Sequence, residues 1–346
     1  MTCAVSPNVE SANAKVQFPK RTWYAIAAST DIKRKPVGMR RLGQALVLWR
    51  DERGELIAQS RHCPHRGVDL SLGRVSGGRL ECPYHGFQFA SDGQCVAMPC
   101  EGRNRAVPQS MRVRRYITQE AHGLVWLWWG DAVHQPADLP WFESLQDRPK
   151  RWADGEMFID IPFTRAAESA LVDIHHVAFA HKGVAGLMGM GQAKQLNLTK
   201  VEVAGREIVT EGVLHSAETS PIKGSQLEES KSSKRFKQSF SFSHRLLFPN
   251  LALFDFKIGG LVLFVSLTPI DEDHSWAYFR YYATSGWPWL GRAIARLSVW
   301  FELKFVQPDD YRLIKSTVPQ HSGLRANRFV SADKTIVQWH RLYQYE

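Results

Sequence analysis

The segment CPHRGVDLSLGRVSGGRLECPYHG, Cys63 to Gly86, constrains this chain more than any other stretch. It opens with a Cys-x-His pair, Cys63 and His65, and sixteen residues further on carries a Cys-x2-His pair, Cys82 and His85. Two thiolates and two imidazoles at such spacings imply a metal. A zinc site is the plain alternative, but two-Cys, two-His zinc sites usually keep like ligands together. Here each pair is mixed, the arrangement needed by a [2Fe–2S] cluster with two Cys on one iron and two His on the other. Each pair sits in a loop with Pro and Gly, where backbone N–H groups can approach cluster sulfurs and raise the reduction potential.

The remaining composition fits that reading. The chain has 346 residues, 44% hydrophobic and 23% charged, enough for a large core and two domains. Five cysteines form an odd, sparse set, so a disulfide framework is not expected. No apolar N-terminal stretch resembles a signal peptide, and the polar stretch Met1–Trp23 reads as a frayed lead-in, with a cleaved organelle address as the alternative. The net charge of +10 is scattered apart from short runs such as Lys33–Arg41, Met111–Arg115 and Lys231–Lys237. No nucleic-acid module is readable; the functional alternative to solvated surface is a face for an acidic electron-transfer protein. The most apolar window, Trp287–Val306, contains Arg292, Arg296, Glu302 and Lys304, which argues against a membrane span. Its Leu290, Ile294, Leu297, Trp300, Phe301 and Phe305 recur near helical spacing. The expectation is an amphipathic helix packed on the core, the alternative a helix lying on a membrane surface.

From Phe18 to about Trp129 the signals are short and strand-like: TWYAIA, ALVLWRD, LIAQSR, FQFASDG and GLVWLWWGD. The stretch GDAVHQPADLPWF then reads as a linker. The reading is therefore a mostly β domain over 18–131 and a second domain over 132–346. Ala166 to about His181 is expected to be helical, and TKVEVAGREIVTEGVLHS a hairpin turning near Gly205. Ser216–Lys234 has almost no apolar residue and reads as a mobile loop, and as a lid. Long strands are expected from Phe236 to about Ser285 with turns at Pro249, Gly259 and Asp271, then a helix over Trp287–Thr317. An antiparallel sheet with a helix before and after it makes the second domain α+β.

The pattern C-x-H-x16-C-x2-H, with CPHRG and CPYHG, resembles the Rieske cluster of aromatic-ring-hydroxylating and related oxygenases. Cys95 and Cys100 fall outside it, and Cys95 reads as a small buried residue. An isolated cluster protein would end near Asp131, so the remaining residues should hold an electron acceptor. ESALVDIHHVAFAHKG supplies Asp173, His175, His176 and His181. Two His and one carboxylate can hold ferrous iron while leaving positions open for O2. The family's D-x2-H-x4-H pattern matches Asp173, His176 and His181, with Asp173 and His176 on one helix face. His175 lies off that face and reads as structural or surface. Where the family often has Asn three residues before the Asp, this chain has Ala170, which puts local hydrogen bonding rather than iron binding in doubt. The third ligand is expected in VQPDDYRLIKST. Matching Leu313 and Ile314 to the family's apolar pair selects Asp310, with Asp309 as the alternative.

The resemblance implies more. The second domain should be the family's helix-grip, START-like fold. The chain should be a terminal oxygenase, monooxygenase-like rather than dioxygenase-like. It would hydroxylate a C–H bond of a small organic substrate, or demethylate it oxidatively. NAD(P)H-derived electrons should come from a separate reductase, directly or through a ferredoxin, because the chain has no G-x-G-x-x-G of its own. Subunits should form a head-to-tail homotrimer. In it Asp173 would bridge His176 of its own chain to His85 or His65 of the next. The expected setting is cytoplasmic, without membrane or nucleic acid. A ligand-binding or redox-sensing protein with a cluster but no mononuclear iron is the non-catalytic alternative. The substrate pocket is expected between the 185–262 region and the late helix.

Overall fold

A computed structural model of the chain describes residues 18–102, 105–130, 136–146, 148, 151–181, 193–216, 239–255, 260–284 and 287–344. Residues 1–17 of the expected lead-in, residues 131–135 of the expected linker, the turn at Gly259 and all of the expected lid beyond Ser216 lie outside the described residues, while the end of the lead-in, Thr22 and Trp23, already belongs to a buried strand.

The first part is built of three small antiparallel sheets. Thr22–Ala28, Leu124–Trp129 and Thr118–Ala121 form one. Val37–Arg41, Gln44–Arg50, Leu56–Ser60 and Arg115–Tyr116 form the second. Arg74–Ser76, Arg79–Glu81, Gln88–Phe89 and Cys95–Ala97 form the third, which carries the Cys82–Gly86 loop, while the Cys63–Gly67 loop follows Leu56–Ser60 of the second. The second part is one seven-stranded antiparallel sheet. Its order is Trp152–Ile159, Ser275–Ala283, Leu261–Pro269, Leu251–Asp255, Ser239–Leu247, Glu207–Ser216 and Ala193–Ala204. The expected hairpin is present, with Ala204 paired to Glu207 across Gly205. Strands 251–255 and 261–269 are apolar on both faces because each face is covered. One face carries the helices. The other meets the first part of the chain.

That meeting is a shared core rather than a contact between separate cores. Trp23, Ala25, Leu124, Trp126 and Trp128 pack with Leu251, Leu253, Phe264, Trp276 and Tyr278. Buried polar groups pin the same junction: Thr268 Oγ1 donates to the Ala25 carbonyl at 2.6 Å and Asn250 Nδ2 to that of Trp23 at 3.2 Å. The cysteine–histidine sheet has a smaller core of its own, with Trp49, Leu80, Phe87, Phe89, Cys63 and Cys82.

Two helical expectations change. The helix expected over Ala166–His181 is α-helical over Phe163–Ala167, widens to a π-helical turn over Glu168–Val172, and stops at Asp173, whose backbone is extended. Asp173 Oδ1 accepts the backbone N–H groups of His175 at 2.9 Å and His176 at 3.3 Å. This local bond competes with helical bonding and reverses the chain. Asp173 and His176 are therefore brought together by a turn, not by one helix face, and only Val177–Ala180 is helical beyond it.

The late helix runs as expected, α-helical over Pro288–Phe301 and Gln307–Lys315 with a π-helical turn at Glu302–Val306 between them. Its packed face is rotated from the expected one: of the six apolar residues named above only Ile294 and Phe301 are half-buried. Gly291, Ala295 and Val299 are buried, while Trp289, Leu290, Leu297, Trp300 and Phe305 are exposed. The reason is steric. The helix lies so close to strand 152–159 that a Cβ on Gly155 would come within 2.6 Å of Val299 Cγ1, leaving room only for small residues.

Candidate functional site

The two cysteine–histidine loops repeat one design. In the first, the Cys63 N–H bonds the Val68 carbonyl at 2.9 Å and the Gly67 N–H bonds the Cys63 carbonyl at 2.8 Å. In the second, Cys82 and Gly86 do the same with Phe87 and Cys82, at 2.8 and 3.1 Å. Gly67 and Gly86 close the loops at φ +71° and +73°, a conformation that costs other residues about 1 kcal/mol or more. The loops are seated by Asp69, which accepts from Ser71 and pairs with Arg61. Those bonds, with the Arg61 bond the largest, hold the Asp69 carboxyl well below the usual range.

Cys63 and Cys82 are buried and His65 is exposed. The two imidazole rings lie 4.8 Å apart, and His65 stacks on Phe87. Burial pushes the Cys63 thiol up to about 11 and Cys82 adds to this, while backbone N–H groups of His65 and Arg66 oppose it. Thiolates here call for cationic compensation. Among the described residues, only His176, His181 and Asp310 bring three or more such donor atoms within 4.8 Å of one another. Two buried thiols with two imidazoles beside them suit a two-iron cluster held by two Cys on one iron and two His on the other. Cys95 is buried in the same small core, its thiol toward the Ala97 carbonyl, and Cys100 is exposed.

The second site lies where the broken helix meets the late helix. His176 Nε2 and His181 Nε2 stand 3.4 and 3.1 Å from the same oxygen, Asp310 Oδ1. Two imidazoles and a carboxylate converging on one face make a facial triad of donors. Both Nδ1 atoms are buried without a hydrogen bond. Asp310 is buried, whereas Asp309 is 42% exposed and reaches only His181 Nδ1, at 3.8 Å. Asp173 Oδ2 lies 3.3 Å from His176 Nδ1, out of line for a hydrogen bond. Burial works against a charge on His176, yet Asp173 and Asp310 hold its imidazole up at about 9. This ground is prepared for a cation, and a divalent ion fits it.

Three contributors were not legible in the sequence. His175, read as structural, is clamped with Nδ1 2.9 Å from Asp173 Oδ1 and Nε2 3.4 Å from Asp333. Glu302, in the π-helical turn, is buried and accepts from Tyr281 Oη at 2.6 Å and Gln307 Nε2 at 2.8 Å. Burial raises its carboxyl above the usual range. Its only sequence signal is an acid inside an apolar run. The third is His244, whose Nε2 lies 2.7 Å from the Leu171 carbonyl and therefore carries the proton. Burial drives this imidazole down to about 4. Its folded value lies below the unfolded one of about 6.5, so stability falls as pH drops between the two. From pH 7 to pH 4, wild type should lose about 3 kcal/mol more unfolding free energy than His244→Gln. Denaturant titrations at several pH values measure this, and equal losses would remove His244 from the account.

A cavity of about 400 Å³ opens beside the triad. His176, His181, Asp310, Tyr281 and Glu302 line its polar end; Ile174, Val177, Phe254, Leu263, Phe279, Leu297 and Phe301 line the rest. Among the described residues of the 185–262 region, only Phe254 and Leu261 take part. Strands 261–269 and 275–283, the segment 169–181 and the late helix supply the other walls. A second cavity of about 290 Å³ lies on the far side of Asp173 and His176, with His175 and Asp333 in its wall.

The family described as the Rieske [2Fe-2S] domain matches residues 22–116, so the three-sheet part is a Rieske domain and its cofactor a [2Fe–2S] cluster. Curated relatives include the dicamba O-demethylase oxygenase component of Stenotrophomonas maltophilia, 34% identical over 166 residues and 48% of each chain. The vanillate O-demethylase oxygenase subunit of a Pseudomonas species is 30% identical over 208 residues, covering 59% of this chain and 56% of that one. The chain spans about half the length of the curated relatives it matches. Dicamba monooxygenase bound to 3,6-dichlorosalicylic acid shares the fold, with a TM-score of 0.74 and 22% identity over 95% of this chain and 98% of that one. Residues 22–116 thus match the Rieske domain, and the chain as a whole has the fold of dicamba monooxygenase.

Proposed function

We propose that the chain is a terminal oxygenase that hydroxylates a C–H bond of a small, largely apolar organic molecule, with monooxygenation the favoured outcome. The observation that carries this is the triad of His176, His181 and Asp310 at the wall of the apolar cavity. In this reading Cys63, His65, Cys82 and His85 hold the cluster within residues 18–131, and the triad holds Fe(II) within residues 132–346. The chemistry the two groups supply when bound is delivery of single electrons and activation of O2. The chain's own part is to bind and to orient. Apolar side chains exclude water and hold the substrate against the triad. Glu302 and Tyr281 offer the substrate a fixed polar contact. Asp173 is a positioning residue: it orients His176 through the turn it closes and steadies His175 beside it. Hydroxylation at an O- or N-methyl carbon ends as demethylation, as in the names of the relatives.

A separate reductase, with or without a ferredoxin, would supply NAD(P)H-derived electrons. A homotrimer is supported by two surfaces: the exposed His65 edge of the cluster loops, and the cavity beside Asp173 and His175 that could receive it from a neighbour. No helix among the described residues is long and apolar enough to cross a membrane, and a cytoplasmic setting is the proposed one.

The test is metal analysis of anaerobically purified protein with an EPR spectrum after dithionite. About three irons and two sulfides per chain are expected. About two of each, with no gain of O2 consumption on adding Fe(II), would favour the non-catalytic alternative. Asp173→Asn should keep both counts and slow O2 consumption about 10- to 100-fold.

A further inference from the structure

We propose that the outward face of the Pro288–Phe301 helix seats on an anionic lipid bilayer surface. The helix packs its narrow side, Gly291, Ala295 and Val299, on the sheet. The opposite side presents Trp289, Leu297 and Trp300, which are 68%, 63% and 54% exposed, with Trp287 and Phe305 exposed at its ends. Such side chains together expose on the order of 500 Å² of apolar surface, at the upper end of what a monomer shows. A patch of that size calls for a covering.

Charge selects the covering. Arg292 and Arg296 stand exposed along the flank of the apolar stripe and Lys304 one turn beyond it. Neither arginine has a carboxylate partner in an ion pair among the described residues, and Trp287–Phe301 contains no acidic residue. Tryptophans with a basic flank are the composition of a helix lying in a membrane interface, indole rings at headgroup depth and guanidinium groups on lipid phosphates. A second copy meeting this face about a two-fold axis would bring arginines toward arginines, and the head-to-tail trimer proposed above uses the His65 edge and the cavity beside Asp173 instead of this face. The helix also provides Leu297, Ser298 and Phe301 to the wall of the active-site cavity. A bilayer bound there would lie against the wall through which an apolar compound could enter. That last point rests on the proposed oxygenase reading; the lipid binding does not.

Co-sedimentation of the cofactor-loaded full chain with vesicles tests it at about 0.1 M salt. The chain should pellet with phosphatidylcholine vesicles containing a quarter phosphatidylglycerol, and far less with phosphatidylcholine alone. Replacing Arg292 or Arg296 by Gln should weaken binding about fivefold each. Trp289→Ser/Trp300→Ser should weaken it tenfold or more. Wild-type tryptophan fluorescence should be quenched by brominated lipid in the anionic vesicles, a readout that needs no variant. Absence of both pelleting and quenching would overturn the proposal. So would a wild-type particle that ignores vesicles and falls in mass on the double tryptophan substitution, since the face would then lie between copies of the chain.

Discussion

Asp310→Asn should lower the iron content from about three to about two per chain while acid-labile sulfide stays at about two. Substrate-coupled O2 consumption should fall by well over 100-fold, since loss of a mere outer-shell partner already costs about 10- to 100-fold. Asp309→Asn should keep the iron. The contrast follows from geometry: Asp310 is buried, with one oxygen 3.1 and 3.4 Å from two imidazole nitrogens, whereas Asp309 is half in water. Iron analysis of the two variants side by side decides it. If Asp309→Asn empties the site and Asp310→Asn does not, the triad is assigned to the wrong carboxylate.

The second large effect lies away from the cavity. Glu168 sits buried in the π-helical turn and accepts from Arg165 at 2.6 Å, from Asn327 at 3.2 Å and from Ser322; His340 Nε2 lies 2.5 Å away. Arg165 also donates to the Pro319 carbonyl at 2.7 Å. The cluster ties the segment after the late helix and the C-terminal helix, Lys334–Gln344, to the helix that leads into Asp173. Glu168→Ala would leave the Arg165 guanidinium buried and unpaired, and should cost about 3–5 kcal/mol. Removing both charges, as in Arg165→Met/Glu168→Leu, should cost less than the single change, because no lone ion remains. Thermal melts of the three proteins measure the order. A double variant weaker than Glu168→Ala would mean that the ion pair itself supplies net stability.

What was readable in advance follows the range of the interactions. The cysteine–histidine loops are closed by bonds four and five residues apart, so CPHRG and CPYHG carry their own geometry. His176 and His181 likewise sit in one turn. The Asp310 choice needed only a short register match. The clamp on His175 spans from 175 to 333, and the Glu168 cluster joins residues 165 to 340. Nothing local marks either. The late helix shows a different limit. Its apolar period was visible, but period alone does not say which side meets the core. Close approach of the Gly155 strand gave the buried side to Gly291, Ala295 and Val299.

The interlocked tryptophan core between the three-sheet part and the large sheet has a consequence for modularity. Two units that share Trp23, Trp126, Phe264 and Trp276 have no hinge between them. The cluster is therefore carried at a fixed place relative to its own triad, and any electron relay that requires motion must move whole subunits. The Rieske portion is a module in sequence comparison, yet its interior is continuous with that of the large sheet. Cutting the chain between its parts would expose one wall of a common interior on each fragment, and a transplanted electron-entry domain would have to bring matching tryptophans with it.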